Sequence, residues 1–367
     1  MAGDAQTQLA DPLMGQNHFT AVRWVLAIAV VLGHIWLLTT GVEPFSIHEW
    51  TASYMAVNGF FVLSGLLIAK SLHTRRDMKA YALSRFLRTY PALVIVLAVF
   101  VLVFAPLYSA EGGGSPFQSE TWQYTYKVLA LGDPDSAPAQ IFSQNLETDF
   151  NGPLWTIRFE LAAYILAGIA FMFGAVNGPW RVLSVFLLVQ SVYLGAPFFI
   201  DTSALPPSVM SLLRLSSAFL LGMTLWQWPI LRRPPLFVVA GLIAAFALLG
   251  GGLLGELFAT FALTSLMLRA GLSKRTSVRI AKIPDYSYGI YIWHYPLLQV
   301  FLVGQPDLRP AALAIMTAPL ILLVAATSWH VIEKPILALK PRSSSISKKP
   351  NARTPLEINR PTRGVDL

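Results

Sequence analysis

The chain has 367 residues, of which 55% are hydrophobic and 13% charged, with a net charge of +8 and a mean hydropathy of +0.57. A soluble chain is typically about one-quarter charged, so this sequence falls in the multi-span membrane class and the rules for soluble folds do not apply. Cysteine is absent, which excludes disulfides, thiol nucleophiles and thiolate-ligated metals.

Residues 1–18 are polar and read as a cytosolic N-terminal segment, not a cleavable signal peptide. A spanning helix needs about 20 mostly apolar residues. Ten stretches qualify: 19–40, 52–71, 86–107, 153–174, 180–196, 207–227, 235–253, 254–270, 286–304 and 310–331. Hydrocarbon cannot satisfy an exposed backbone, so all are expected to be helices. The fold class is therefore all-α, a polytopic membrane helix bundle of about ten transmembrane helices.

The first span contains VRWVLAIAVVLGHIW, with Arg23 and His34 eleven residues apart. At about 100° per residue both project from one face, separated by about 16 Å along the axis. An Arg in mid-span costs roughly 2.5–3.5 kcal/mol, although near a helix end it can snorkel to the headgroups. That explanation covers Arg23 but not His34. The second span carries NGFFVLSGLLI, with Ser64, and is followed by Lys70, Arg75, Arg76 and Lys79. The next motif, SRFLRTYP, places Arg85 and Arg88 at i and i+3 on one face at the mouth of the third span. Two guanidiniums there suit a polyanion such as a nucleotide phosphate; retention of basic residues in the cytosol explains their sign but not their pairing.

The loop 108–152 contains GGGSP, DPDSAP and WQYTY and is too long for a connector, so it is expected to cover or shape an exterior site. In GPLWTIRFE, after Trp155, Arg158 and Glu160 fall roughly 8–11 Å below the exterior end of the fourth span. His34 is estimated at a similar depth, which suggests a general-base pair in which Glu160 orients the imidazole. The alternative is a structural ion pair of Arg158 with Glu160 or Glu256. Arg158 and Glu160 point about 200° apart, which favours partners on other helices. Arg214 and Glu256 carry no assigned role.

YSYGIYIWHYP puts His294 in the ninth span among Tyr286, Tyr288, Tyr291 and Tyr295, and WHVIEKP ends the tenth with His330, Glu333 and Lys334. Residues 339–367 are basic and read as a disordered cytosolic tail. Basic and acidic loops alternate along the chain, so both termini are expected in the cytosol. A polar path of this kind fits a proton-coupled or acyl-group transporter, or an enzyme joining a cytosolic donor to an external acceptor. A transporter would be expected to show internal repeats, and none is apparent.

Taken in order, Arg23 with His34, NGFFVLSGLLI, SRFLRTYP, PLWTIRFE, YSYGIYIWHYPL and WHVIEKP resemble the signatures of the acyltransferase 3 family across nearly all of residues 19–338. The resemblance implies a membrane O-acyltransferase without an extracytoplasmic SGNH domain. Its activity would be transfer of an acyl group, most often acetyl from acetyl-CoA, to a hydroxyl of a surface or lipid-linked glycan. Acyl-CoA would be a co-substrate, with no bound cofactor, metal or nucleic acid, and the setting would be the bacterial inner (plasma) membrane. On this reading His34 is the essential histidine, as base or transient acyl carrier, with Arg23 required in the same motif. Glu160 holds the acidic position of the fourth helix, and Arg85 and Arg88 hold the donor phosphates. Ser64, Trp155, Arg158 and His294 are expected to line the cavity. The sequence departs from the family pattern at Trp24, where glycine is common, and at Arg158.

Overall fold

The computed structural model describes residues 17–44, 46–75, 77–109, 118–131, 141–273 and 283–340. The first sixteen residues, Phe45, Arg76, residues 110–117, 132–140 and 274–282, and the tail from Pro341 lie outside the described residues. The helices are α1 (Phe19–Thr40), α2 (Ala52–Arg75), α3 (Met78–Val99), α4 (Ser119–Leu131), α5 (Trp155–Met172), α6 (Pro179–Phe199), α7 (Pro207–Gln227), α8 (Leu236–Leu249), α9 (Gly252–Gly271), α10 (Ser287–Leu302) and α11 (Pro310–Thr327). A π-helical turn, Phe100–Phe104, extends α3 to Tyr108, and another, Ser328–Glu333, extends α11 to Ala338. Each of the ten predicted spans is a helix, and the described residues contain no strand beyond an isolated bridge between Ile47 and Trp50. Among the described residues, eight helices are long and apolar enough to cross a bilayer. The other two, α8 and α10, are shorter, at 14 and 16 residues.

The sequence reading missed α4, which lies inside the 108–152 loop. Its buried residues Thr121, Tyr124, Thr125 and Val128 recur at helical spacing, so the signal was present but carried partly by threonines. Trp122 and Tyr126 face outward.

The tightest seam joins α2 and α7. A Cβ on Gly65 would collide with the Phe219 carbonyl, and one on Gly222 with the Val62 carbonyl, so each helix supplies a glycine for the other's backbone. Replacing Gly222 by Val is expected to destabilise the bundle by at least the cost of overpacking, about 1–3 kcal/mol. A lowered melting temperature of the detergent-purified chain would register it.

Helices α1 and α10 lie side by side and parallel: Arg23 meets Asp285 near their starts, and His34 meets His294 further along. Trp24, the departure from the family pattern, holds that register by donating its indole N–H to the Pro284 carbonyl at 3.0 Å and packing on Tyr286. Pro296 has no N–H to offer Ile292, and the freed carbonyl accepts instead from the Asn151 amide at 2.8 Å. Fully buried Gln299 donates to the carbonyls of Glu147 and Asp149. The second half of the 108–152 loop is thus fastened to the far half of α10.

Candidate active site

A cavity of about 480 Å³ opens between α2, α3, α5, α10 and the extension of α11. Lys70, Arg85 and Lys340 line it towards the face where α2 and the α11 extension end. Arg88, Arg23 and Asp285 also line it, and Thr156 and Tyr291 lie at its inner end.

The cations are held in two different ways. Asp285 Oδ2 lies 3.2 Å from Arg88 Nη2 and 3.4 Å from Arg23 Nη1, and Arg88 Nη1 is 3.8 Å from Glu333 Oε2. Burial pushes the Asp285 carboxyl upward, but Arg88 and Arg23 outweigh it and hold the group below the usual carboxylate range. Arg85 donates to Ser84 Oγ at 2.8 Å, faces the Tyr164 ring, and has no carboxylate among the described residues within ion-pair distance. Its Nε is buried without a hydrogen-bond partner. Of the two arginines in SRFLRTYP, one is therefore tied into a carboxylate network while the other is open to an anion.

Glu160 lines the cavity and accepts a hydrogen bond from Tyr164, whose hydroxyl also pairs with Ser64 at 3.2 Å. It does not pair with His34, contrary to the expectation from depth. The estimate assumed that both helices begin at the membrane surface. The turn Gly152–Leu154 that opens α5 is instead sunk against Tyr295, with Asn151 bonded to Ile292, so α5 starts near the level of His294 and carries Glu160 inward from there.

His34 is half-buried and its Nδ1 lies 2.9 Å from Nε2 of fully buried His294. The ring planes agree within 5° with centres 5.2 Å apart, as in an in-plane N–H···N bond. His294 Nδ1 is 2.9 Å from the Ile290 carbonyl, and the Tyr295 ring packs edge-on to His34 at 5.3 Å. Neither histidine lines the cavity. Tyr291 stands between: its hydroxyl pairs with Thr156 at 2.9 Å and donates to the Pro153 carbonyl, while its ring centre is 6.3 Å from that of His294.

Ser64 lines the cavity as expected from sequence, whereas Trp155, Arg158 and His294 do not. Trp155 packs on Phe159, and the Arg158 guanidinium lies 4.9 Å from the Phe159 ring centre. Glu256 is bonded by Tyr193 and Asn58, so the suggested pairing with Arg158 does not form, and Arg214 lies over Tyr54 at 3.7 Å. Asp285, Tyr164 and Tyr291 are the site residues that sequence reasoning passed over. Asp285 was hidden as an apparent loop residue just ahead of α10, Tyr164 as one aromatic in an apolar span, and Tyr291 as one of four tyrosines around His294.

The helical bundle thus carries a cationic cavity and, beyond the cavity's inner end, a hydrogen-bonded histidine pair. The chain belongs to the acyltransferase 3 family, whose acyltransferase-domain profile matches residues 17–330, and it is a multi-pass membrane acyltransferase. It is 26% identical to an O-acetyl transferase of Shigella phage Sf6, over 88% of this chain and 96% of that protein. It is 25% identical to nodulation protein 10 of Rhizobium leguminosarum bv. viciae, over 91% and 96% respectively. It is 24% identical to the peptidoglycan O-acetyltransferase OatA of Listeria monocytogenes, over 77% of this chain and 51% of that protein. No solved structure matches the chain significantly.

Proposed function

We propose that this acyltransferase transfers an acetyl group from cytosolic acetyl-CoA to a hydroxyl of an extracytoplasmic glycan, in the bacterial plasma membrane and with both termini in the cytosol. The observation that carries this reading is that Tyr291, in the inner wall of the cationic cavity, has its ring centre 6.3 Å from that of His294 in the His34–His294 pair. The names of two relatives, an O-acetyl transferase and a peptidoglycan O-acetyltransferase, support acetyl as the group and glycan as the acceptor. The alternation of basic and acidic loops supports the orientation.

In this mechanism the donor enters from the cytosol with its phosphates on Arg85, assisted by Lys70 and Lys340. The pantetheine arm passes Arg23, Arg88 and Asp285 towards Tyr291. His34 takes the proton of the acceptor hydroxyl as that oxygen attacks the thioester carbonyl. The C–S bond breaks, and the departing thiolate takes the same proton from His34, leaving an O-acetyl ester and free CoA. Glu160 and Tyr164 lie along the path of the arm, and their role is to position it.

Surface-glycan O-acetyl content, measured by NMR in cells with and without the chain, tests the function directly; equal content in the two would refute it. Arg85→Ala is expected to weaken acetyl-CoA binding about 10- to 100-fold, the worth of one or more charge-assisted hydrogen bonds at about 1.5–3 kcal/mol each. Isothermal titration of the purified chain measures it.

A further inference from the structure

We propose that His294 is a positioning residue: it fixes the tautomer of His34, receives the positive charge that His34 acquires, and so makes Nε2 the reacting nitrogen of His34. The inference rests on the function proposed above and deepens it.

The argument starts from a carbonyl. Ile290 O can only accept, so His294 Nδ1, 2.9 Å away, carries a hydrogen. A neutral imidazole has one N–H, which leaves His294 Nε2 as an acceptor. Its partner at 2.9 Å is His34 Nδ1, which must therefore be the donor. By the same rule His34 Nε2 is bare, with its lone pair available. One backbone carbonyl on α10 thus sets the protonation pattern of a side chain on α1. The ring planes, within 5° of each other, give the N–H···N bond its in-plane direction, and Tyr295 against the edge of both rings limits their rotation.

The more familiar orienting partner of a catalytic histidine is a carboxylate. Here no carboxylate among the described residues bonds or pairs with either ring. Inside a bilayer that difference matters, because a neutral partner adds no resting charge to a buried site. It still serves when charge appears. After Nε2 takes the acceptor's proton, the Nδ1 proton of His34 moves along the existing hydrogen bond to His294 Nε2. The cation then resides on His294, with one N–H directed at His34 Nδ1 and the other at Ile290 O, so no buried donor is left unpaired. When the thiolate removes the Nε2 proton of His34, the shared proton returns. No oxidant, reductant or further reactant is needed.

The test uses the full chain in inverted membrane vesicles from cells that make their own surface glycan, supplied with radiolabelled acetyl-CoA. His294→Ala is expected to lower kcat by about 10²-fold or more, with the KM for acetyl-CoA within about twofold of wild type. His294→Gln, which can accept from His34 and donate to Ile290 O, is expected to recover most of that loss. Nitrogen-15 NMR of the histidine-labelled protein should show His34 as the Nδ1–H tautomer in wild type and as a mixture in His294→Ala. An Nε2–H tautomer of His34 in wild type would overturn the inference, as would unchanged kcat in His294→Ala. If His294→Ala does not fold, the wild-type tautomer and the His294→Gln rate decide. Full activity in His34→Ala would instead refute the underlying functional reading, which separates the two failures.

Discussion

His34→Ala is expected to reduce acetyl transfer by about 10²–10⁴-fold, the usual contribution of a positioned general base, while leaving acetyl-CoA affinity close to wild type. The split follows from geometry. His34 is absent from the cavity lining, and its hydrogen-bond partner is His294 rather than any of the cavity arginines. Its loss therefore removes chemistry without disturbing the seat of the donor. The substitution breaks no ion pair, but it opens a small hole beside Tyr295 and leaves buried His294 Nε2 without its partner, so a modest loss of stability of about 1–3 kcal/mol should accompany it. Labelled acetyl transfer in vesicles and a donor-binding isotherm on the same preparation measure both halves. A parallel loss of binding would place His34 in the donor site and contradict the arrangement described here.

Asp285→Ala is expected to be the most destabilising substitution in the cavity. The Asp285 carboxylate joins Arg23 on α1 to Arg88 on α3, with side chains only 12%, 22% and 19% exposed respectively. Removing it leaves two guanidiniums facing each other with Glu333 near only one of them. Loss of one partner from a buried ion pair costs about 3–5 kcal/mol. Melting of the detergent-purified chain should register the change, with donor affinity falling as the cavity wall loosens. The pH dependence has a definite sign. A carboxyl held below its ordinary value of 3.8 contributes stability that is complete above that value and is lost as pH falls through the lower folded-state value. Wild type should therefore lose none of this contribution between about pH 8 and pH 5. A steep decline across that interval, absent from Asp285→Ala, would contradict it.

Much of the fold was legible because hydrocarbon allows few solutions: long apolar runs had to be helices, and ten of them were found where the runs lie. The vertical order of the site was legible too, since Arg23 and His34 share a face at a fixed rise. What could not be read was which helices adjoin. His34 was matched to Glu160 by depth alone, but depth counted from helix ends fails when an end is sunk, as Gly152–Leu154 is. The true partner, His294, lay in a motif already singled out; only the parallel packing of α1 and α10 brings the two together. Likewise the spacing of Arg85 and Arg88 made them look equivalent. Their difference depends on Asp285 and Glu333, which come from distant parts of the chain.

Tyr291 has one more consequence. Its hydroxyl is fastened to Thr156 and Pro153, and its ring meets Phe60 at 5.9 Å, so aromatic rings close the inner end of the cavity. A bacterial plasma membrane stores energy as a proton gradient, and a continuous wet channel through this bundle would short-circuit it. In the reaction proposed above only the acyl-bearing tip of the donor has to pass those rings, which calls for no such channel. On the function proposed above, the same partition that keeps the histidines out of the cavity would let an outer surface be modified without discharging the membrane.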